Sequence, residues 1–549
     1  MKKRQIINII NFIRGFDPRT EDDLTLPVKK QIDLLIRHGL KGTFLLQYDA
    51  LINPAFSGML KELDPAQFEL GVWLEMVEPL NRRAGVPWRG RYAWDWQARY
   101  GFSVGYTLEE RERLIDGLFA GFKEVFGYYP RVLGSWAFDA HTLRYASETY
   151  GLDAACNCKE QWGTDGYTIW GGPYGQGYYP SRENVLCPAG SREKQIDVPV
   201  FRMLGADPVL QYDCGLDVSA PRPTGCQGVI SLEPVYAGSG GGGGEPAWVD
   251  WYLRENFSGR CLSFGYAQAG QENSFGWPAM ERGLTYQFDR FRQMQAAGEI
   301  QVETLGETGR WFKSRFSATP PAVIAAMDDW KAEGRKSVWY TCKNYRVNLY
   351  AEDGRFWIRD LYCFREDYRE RYFDKICDSD KLTFDNLPVA DGTRFSGGGV
   401  RGGLYPVTGA DLPDGGMPFK EMRYAESDGA ALVAFTGTPC GDVTFTLAES
   451  GIRVQADREA GLRFVNRFAP DADGLPHTRR LSPAALGLTY EGFAYTLALG
   501  KGFVDDSLAL TADEGELAIR LDGAAEGETA GRLADAEGVP PDASIGRPA

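Results

Sequence analysis

Two residues near the start of the chain combine scarce chemistry with a telling position. Asp17 closes the apolar run IINIINFIRGFDPR, and His141 sits in GSWAFDAHT, each just past a segment that reads as a buried strand. The chain has only three histidines, so one placed beside Asp139 at a strand end stands out, because parallel α/β barrels carry their reactive groups at the carboxyl ends of their strands. An Asp and a His in such places suggest acid/base catalysis. Plainer duties compete with that reading. Asp17 precedes Pro18 and would serve as a turn residue or cap, yet the next helix begins near Leu24 with Thr20 and Asp22 better placed to cap it. His141 would equally serve in the first turn of a helix. Glu75, in GVWLEMVEP, ends another strand and offers a second carboxylate, either catalytic or orienting. Arg14, three residues before Asp17, reads as its structural ion-pair partner.

The elements that must hold these residues follow an α/β rhythm from residue 1 to about 317. IINIINFI, GTFLLQ, FELGVWLE, RVLGSWAFD, LDAACN, GVISLEPVY and RCLSFGYAQ read as strands, with helical patterns such as LPVKKQIDLLIRHGL and the stretch from Ala279 to Gly298 between them. Seven or eight such units fit a (β/α)8-type, TIM-like barrel better than an open doubly wound sheet, and no dinucleotide glycine fingerprint follows the first strand. Long insertions, Pro79 to Thr107 and Gln161 to Asp197, interrupt the rhythm; loops of that length at barrel tops are functional or interface elements. Their aromatics Trp88, Trp94, Trp96 and Tyr100 are candidates for the wall of a sugar site or for loop packing. The run GSGGGGG from Gly238 reads as a flexible loop and a lid hinge. From 318 to 521 short alternating strands define a β-rich accessory domain, and 522–549, rich in Ala, Gly, Glu and Pro, is expected to be disordered.

The 549 residues imply two or three domains and a large core. A net charge of -15, from 60 Lys+Arg against 75 Asp+Glu, disfavours nucleic acid as a partner. An acidic protein acting on an anionic sugar would need a local arginine. The start MKKRQIINIINFI mimics a signal peptide, but Asn8 and Asn11 interrupt its apolar run and no small-residue cleavage site follows, so it reads as the first strand. No run is long enough to span a bilayer. Ten cysteines without CxxC pairs point to reduced thiols and a cytoplasmic location, with CNC at Cys156 and Cys158 a weak candidate for metal.

The first strands with Asp17 are similar to those of carbohydrate deacetylases of the NodB type, whose metal is held by an Asp and a His-x-x-x-His pair. That pair is absent, and Trp73 and Glu75 stand where histidines would follow the third strand, so no metal and no cofactor are expected. TDGYTIW around Asp165 is a single near miss to the Asp boxes of propeller sialidases.

On FIRGFDPR and WAFDAHT, and on a likeness running from the first strand through KNYRVNLY, the chain resembles the inverting exosialidases of glycoside hydrolase family 156. The resemblance implies a barrel in which Asp17 is the Brønsted base and His141 the acid, hydrolysing 2-linked sialosides by single displacement. It also suggests Asn344, in KNYRVN, as a ligand of the substrate carboxylate. Arg202, in VPVFRML, is a charge-assisted alternative, and Glu75, Arg14, Trp136 and Asp139 are further candidates for contact with substrate. The expected partner is a sialylated glycan or sialic acid, with neither nucleic acid nor membrane; a homodimer through the aromatic insertions is compatible with one sequence but not required by it. Three alternatives stay open: another inverting glycosidase using Asp17 with Glu75, a non-catalytic carbohydrate-binding barrel related to the deacetylases, and a deacetylase with an unorthodox metal site.

Overall fold

The computed structural model describes residues 3–164, 166–220, 227–409 and 415–522. Asp165, and the tail from 523 to 549, lie outside the described residues. The apolar run at the start forms a fully buried strand, Gln5–Ile13. It is the hub of a parallel sheet because every side chain along it has a neighbour to bury against. Its first half pairs with Gly265–Ala269 on one edge and Gln301–Glu303 on the other; its second half pairs with Gly42–Leu46. From there the sheet continues through Phe68–Trp73, Val132–Gly134, Ala154–Asn157 and Val200–Arg202. These eight parallel strands curl into a barrel that stays unlaced between Val200–Arg202 and Gly265–Ala269, with helices such as Thr25–His38, Leu108–Phe126 and Trp277–Ala296 outside. The expected (β/α)8-type barrel is therefore present in a nearly closed form, and the segment GVISLEPVY, expected as a strand, supplies only an isolated bridge from Ser231 to Ala206.

The two asparagines that break the first strand's apolar pattern are both buried. Asn8 Nδ2 donates to the Glu303 carbonyl at 2.9 Å and the Thr308 hydroxyl at 2.8 Å, tying the first strand to the last strand and its helix. Burying an amide is tolerable only with such partners.

Beyond the barrel, Ala322–Ala326 opens a second region of two antiparallel sheets. One runs from Ala322–Ala326 through Lys336–Thr341, Tyr345–Glu352 and Arg355–Cys363; the other is built around Ala430–Thr438 and Gly441–Ala448. Alternating residues of both, among them Phe356, Phe435 and Phe445, share one core, as the period-2 pattern of the sequence requires. The barrel insertion after the fifth strand packs on this region through Trp170, Tyr174, Tyr212, Trp339 and Tyr362. Beneath that aromatic layer Arg346, fully buried, pairs with Asp360 at 2.7 Å and Glu160 at 2.8 Å. Among the described residues no helix is long and apolar enough to cross a membrane.

The glycine run does not form a free hinge. Gly241–Gly244 are buried, and the amides of Gly243 and Gly244 donate to the carbonyls of Ser231 and Tyr236, each at 2.7 Å. A Cβ on Gly243 would sit 2.3 Å from the Leu232 carbonyl oxygen. Glycine is needed there for close packing of backbone on backbone, which sequence composition alone reads as flexibility.

Candidate active site

At the carboxyl ends of the strands the barrel opens into a cavity of about 320 Å³. Trp136 lines it and rests on an aromatic layer. Phe12 of the first strand stacks on Trp73 of the third with centroids 4.1 Å apart, and Trp136, just past the fourth, meets both edge-on. Strand-end residues then bring polar groups to the same mouth: Arg14 and Asp17 from the first, Glu75 from the third, Lys159 from the fifth and Glu272 from the seventh.

Arg14 organises these groups. Its side chain is buried, with Nε 3.2 Å from Glu75 Oε2 and Nη2 3.1 Å from Glu75 Oε1, while Nη1 donates to Glu272 Oε1 at 2.8 Å and lies 3.8 Å from Asp17 Oδ2. Its backbone is clamped as well: its amide donates to Asn273 Oδ1 and its carbonyl accepts from Asn273 Nδ2, both at 2.9 Å. Burial disfavours the charge of Arg14, but the carboxylates of Glu272, Glu75 and Asp17 more than offset this and raise its pKa. The guanidinium is therefore a fixed cation.

Around it two carboxyl groups are pushed in opposite directions. For Asp17 burial acts upward, but hydrogen bonds from the Arg19 guanidinium and amide, with the charges of Arg19 and Arg14, outweigh it and hold the pKa below the ordinary value. Arg19 Nε and Nη2 reach Oδ1 and Oδ2 at 2.9 and 2.6 Å. Glu272 goes the other way: burial outweighs the charge of Arg14 and the hydrogen bond from Ser274, so its pKa is raised. Its Oε2 is buried and finds no hydrogen-bond partner. The pKa values of two neighbouring carboxyl groups are thus pushed apart around one guanidinium, the pattern that acid/base pairs show.

The insertion from Pro79 to Thr107 supplies the next wall. A bridge between Val77 and Trp94 folds it back on the third strand, and buried Asp95 fastens the turn by accepting from the Arg91 amide and guanidinium and the Gln97 amide. Trp94 and Trp96 consequently line the cavity. The Arg14 and Arg19 guanidinium carbons lie 4.2 and 4.8 Å from the Trp94 ring centre. Trp88 and Tyr100 are not among the lining residues.

Several residues singled out in the sequence lie elsewhere. His141 is in the first turn of the helix Ala140–Tyr150, and that turn directs it toward the neighbouring helix Leu108–Phe126 and away from the mouth. Its Nε2 is 3.1 Å from Glu112 Oε1, its Nδ1 3.3 Å from Arg144 Nη2, and its ring meets Phe373 edge-on. Asp139 caps that helix: buried, it accepts from the Thr142 amide and hydroxyl and the Ser103 hydroxyl, and pairs with Arg111 at 3.1 Å. Asn344 occupies a hairpin of the β-rich region and donates to the Glu449 carbonyl at 2.8 Å. Arg202 is buried in the wall between the barrel and the β-rich region, 3.9 Å from Glu160 Oε2. None of these four lines the barrel mouth, whereas Asp17, Glu75, Arg14 and Trp136 meet there.

Glu272, Arg19, Lys159 and Glu233 were not singled out in the sequence. Glu272 carried the same signal as Asp17, a carboxylate a few residues beyond a strand, in GYAQAGQE. Glu233 and Lys159 come together only in three dimensions, 3.4 Å apart. Among the described residues, no three or more His, Cys, Asp or Glu side chains are grouped so as to hold a metal ion. At the third strand, Trp73 is committed to the aromatic layer on which Trp136 rests and Glu75 to Arg14. Cys156 and Cys158 are both buried, and burial raises both thiol pKa values.

No family model matches the chain, and no curated protein matches it. Among solved structures it is similar to a provisionally classified glycoside hydrolase/deacetylase from Parabacteroides distasonis, at 14% identity and a TM-score of 0.51, over 70% of this chain and 91% of that one. A provisionally classified polysaccharide deacetylase from Mycobacterium smegmatis matches at 13% identity and a TM-score of 0.35, over 57% and 92% of the two chains. The first likeness shows a shared fold.

Proposed function

We propose that the protein is a glycoside hydrolase working at the barrel mouth, with Asp17 as the ionised carboxylate and Glu272 as the proton donor. The observation that carries this reading is the opposed shift of two carboxyl groups on one guanidinium, inside an aromatic-lined cavity of a size that holds a sugar unit. In a single displacement, Asp17 takes a proton from the water that attacks the anomeric carbon, while Glu272 protonates the departing glycosidic oxygen. Arg14 Nη1 touches both, so the oxygens it faces lie no more than about 6.6 Å apart, the sum of the two contacts. That ceiling takes in the whole retaining range and only reaches the lower edge of the inverting one, so the anomer released decides between double and single displacement. The fold neighbour from Parabacteroides carries a carbohydrate description, which is compatible with this reading.

Within that class, sialosides are the first substrates to test. Both oxygens of Asp17 are occupied by Arg19, whose side chain is 41% exposed at the mouth. A substrate carboxylate that drew Arg19 away would free Asp17 for the attacking water, so an anionic sugar would uncover its own base. Glu272 then takes the place of His141 as acid.

Proton NMR of 3′-sialyllactose and a panel of aryl glycosides, incubated with wild type, Asp17→Asn and Glu272→Gln, tests the proposal. Release of one anomer by wild type, lost in both variants, supports it and fixes the stereochemistry. No release from any of these by folded protein sinks it and leaves a carbohydrate-binding barrel without turnover.

A further inference from the structure

A second cavity, about 410 Å³, opens where the barrel insertion meets the β-rich region. A three-stranded sheet divides it from the barrel mouth. The sheet joins Gln161–Thr164 and Tyr167–Ile169 of the insertion with Leu382–Phe384 of the β-rich region. Gln161, Thr164 and Tyr167 line the first cavity, whereas Trp162 and Thr383 line the second. An irregularity in the strand between Gln161 and Thr164 lets both of these face the first chamber while Trp162 faces the second.

The second cavity has a built interior. Arg371 Nη2 is 3.1 Å from Asp385 Oδ1, the Tyr490 hydroxyl donates to Asp385 Oδ2 at 2.6 Å, and Arg394 Nη2 donates to the Tyr490 oxygen at 2.9 Å. This chain fixes four polar side chains in one orientation. Arg394 Nε is buried without a partner. Trp162, partly exposed, is braced edge-on by Trp170 at 5.7 Å, and its backbone is pinned to Gln227 on both sides: its amide donates to Oε1 at 3.1 Å and its carbonyl accepts from the Gln227 amide at 2.8 Å.

We propose that this cavity is a second saccharide site, for a neutral sugar unit whose ring faces Trp162 and whose hydroxyls meet the Arg394 guanidinium and the Asp385 carboxylate. The charges point to a neutral ligand: two arginines, Arg371 and Arg394, face three carboxylates, Asp385, Asp473 and Glu491, so no positive surplus is left for an anion. A flat indole beside a fixed set of donors and acceptors matches the two sides of a pyranose, apolar C–H groups and hydroxyls. The site stands apart from the acid/base pair, so it does not depend on the hydrolase reading.

Cys214 lines this cavity and is the one cysteine among the described residues that is not buried, which provides a native probe. Iodoacetamide labelling of Cys214, followed by peptide mapping, is measured with N-acetylchitotriose, cellotriose, maltotriose, 3′-sialyllactose or inorganic phosphate present. The expected result is saturable protection by at least one neutral trisaccharide, kept in Asp17→Asn and weakened tenfold or more in Trp162→Ala. Where Trp162→Ala folds poorly, Leu216→Trp fills the cavity from its rim, and loss of calorimetric binding reads the same. No protection by any neutral trisaccharide, protection by sialyllactose or phosphate alone, or protection that disappears with Asp17 would each overturn the proposal. Turnover at the barrel mouth is scored separately, so the two readings fail independently.

Discussion

Arg14 and Glu75 meet in a two-pronged ion pair at the carboxyl end of the barrel, Nε to Oε2 at 3.2 Å and Nη2 to Oε1 at 3.1 Å. The fork explains how a strand end without histidines still gathers a cluster of charged groups at the barrel mouth. The guanidinium supplies the central positive charge, and Glu75, held by both its oxygens, aims it. In the proposed reaction Glu75 is accordingly a positioning residue, with Asp17 as the ionised base and Glu272 as the proton donor.

Removing the Arg14 charge should cost stability before it costs anything else. Arg14→Met leaves Asp17, Glu75 and Glu272 facing one another without their shared cation, and breaking a buried pair by deleting one partner costs roughly 3–5 kcal/mol. Urea unfolding measures this; a loss under 1 kcal/mol would mean that water already reaches the cluster. Arg14→Lys should retain more stability but lose turnover, since an ammonium cannot fork Glu75.

The pH profile of turnover has a worked sign on each limb. Asp17 must be ionised, so activity falls as pH drops through its lowered pKa; Glu272 must be protonated, so activity falls as pH rises through its raised pKa. In kcat/KM, which reports the free enzyme, the plateau should extend below the usual Asp range and above the usual Glu range. Glu272→Gln should abolish the alkaline limb and lower kcat by roughly 10² to 10⁴, less for substrates with good leaving groups. An alkaline limb that persists in Glu272→Gln assigns the acid to another residue.

His141→Gln separates the two assignments of the acid. With His141 paired to Glu112 outside the cavity lining, kcat for sialyllactose or the best aryl glycoside should stay within about threefold of wild type, the scale of a surface-type perturbation. A loss comparable to that of Asp17→Asn, in a variant with unchanged melting temperature, would restore the histidine to the reaction.

Gly15→Ala tests how tightly the catalytic loop is set. A Cβ at Gly15 would fall 2.6 Å from the Ala50 nitrogen and 2.7 Å from the Asp49 carbonyl carbon, and the Gly15 amide donates to Asp49 Oδ1 at 3.1 Å. Backbone must move, at a cost of about 1–3 kcal/mol, and Arg14 and Asp17 move with it. Thermal unfolding and kcat should therefore fall together, with KM changing less than kcat.

Much of this protein was legible along the chain. IINIINFI could only be a buried strand, since eight residues with so few polar ones have nowhere else to go, and Asp17 four residues beyond its end had to emerge at a strand terminus. The alternating pattern after residue 320 likewise dictated strands with one buried face, because side chains on a strand point alternately to two faces. What the sequence left open was direction and company. His141 and Trp136 lie five residues apart, yet the turn of one helix sends the histidine to Glu112 while the tryptophan faces the mouth. Glu272 is 258 residues from Arg14, and only the parallel pairing of Gln5–Ile13 with Gly265–Ala269 brings them to 2.8 Å. Local periodicity sets which residues are buried and where strands end; which strand ends meet, and which way each carboxyl pKa is pushed there, follows from desolvation and charge in the folded barrel, and those exist only in the folded chain.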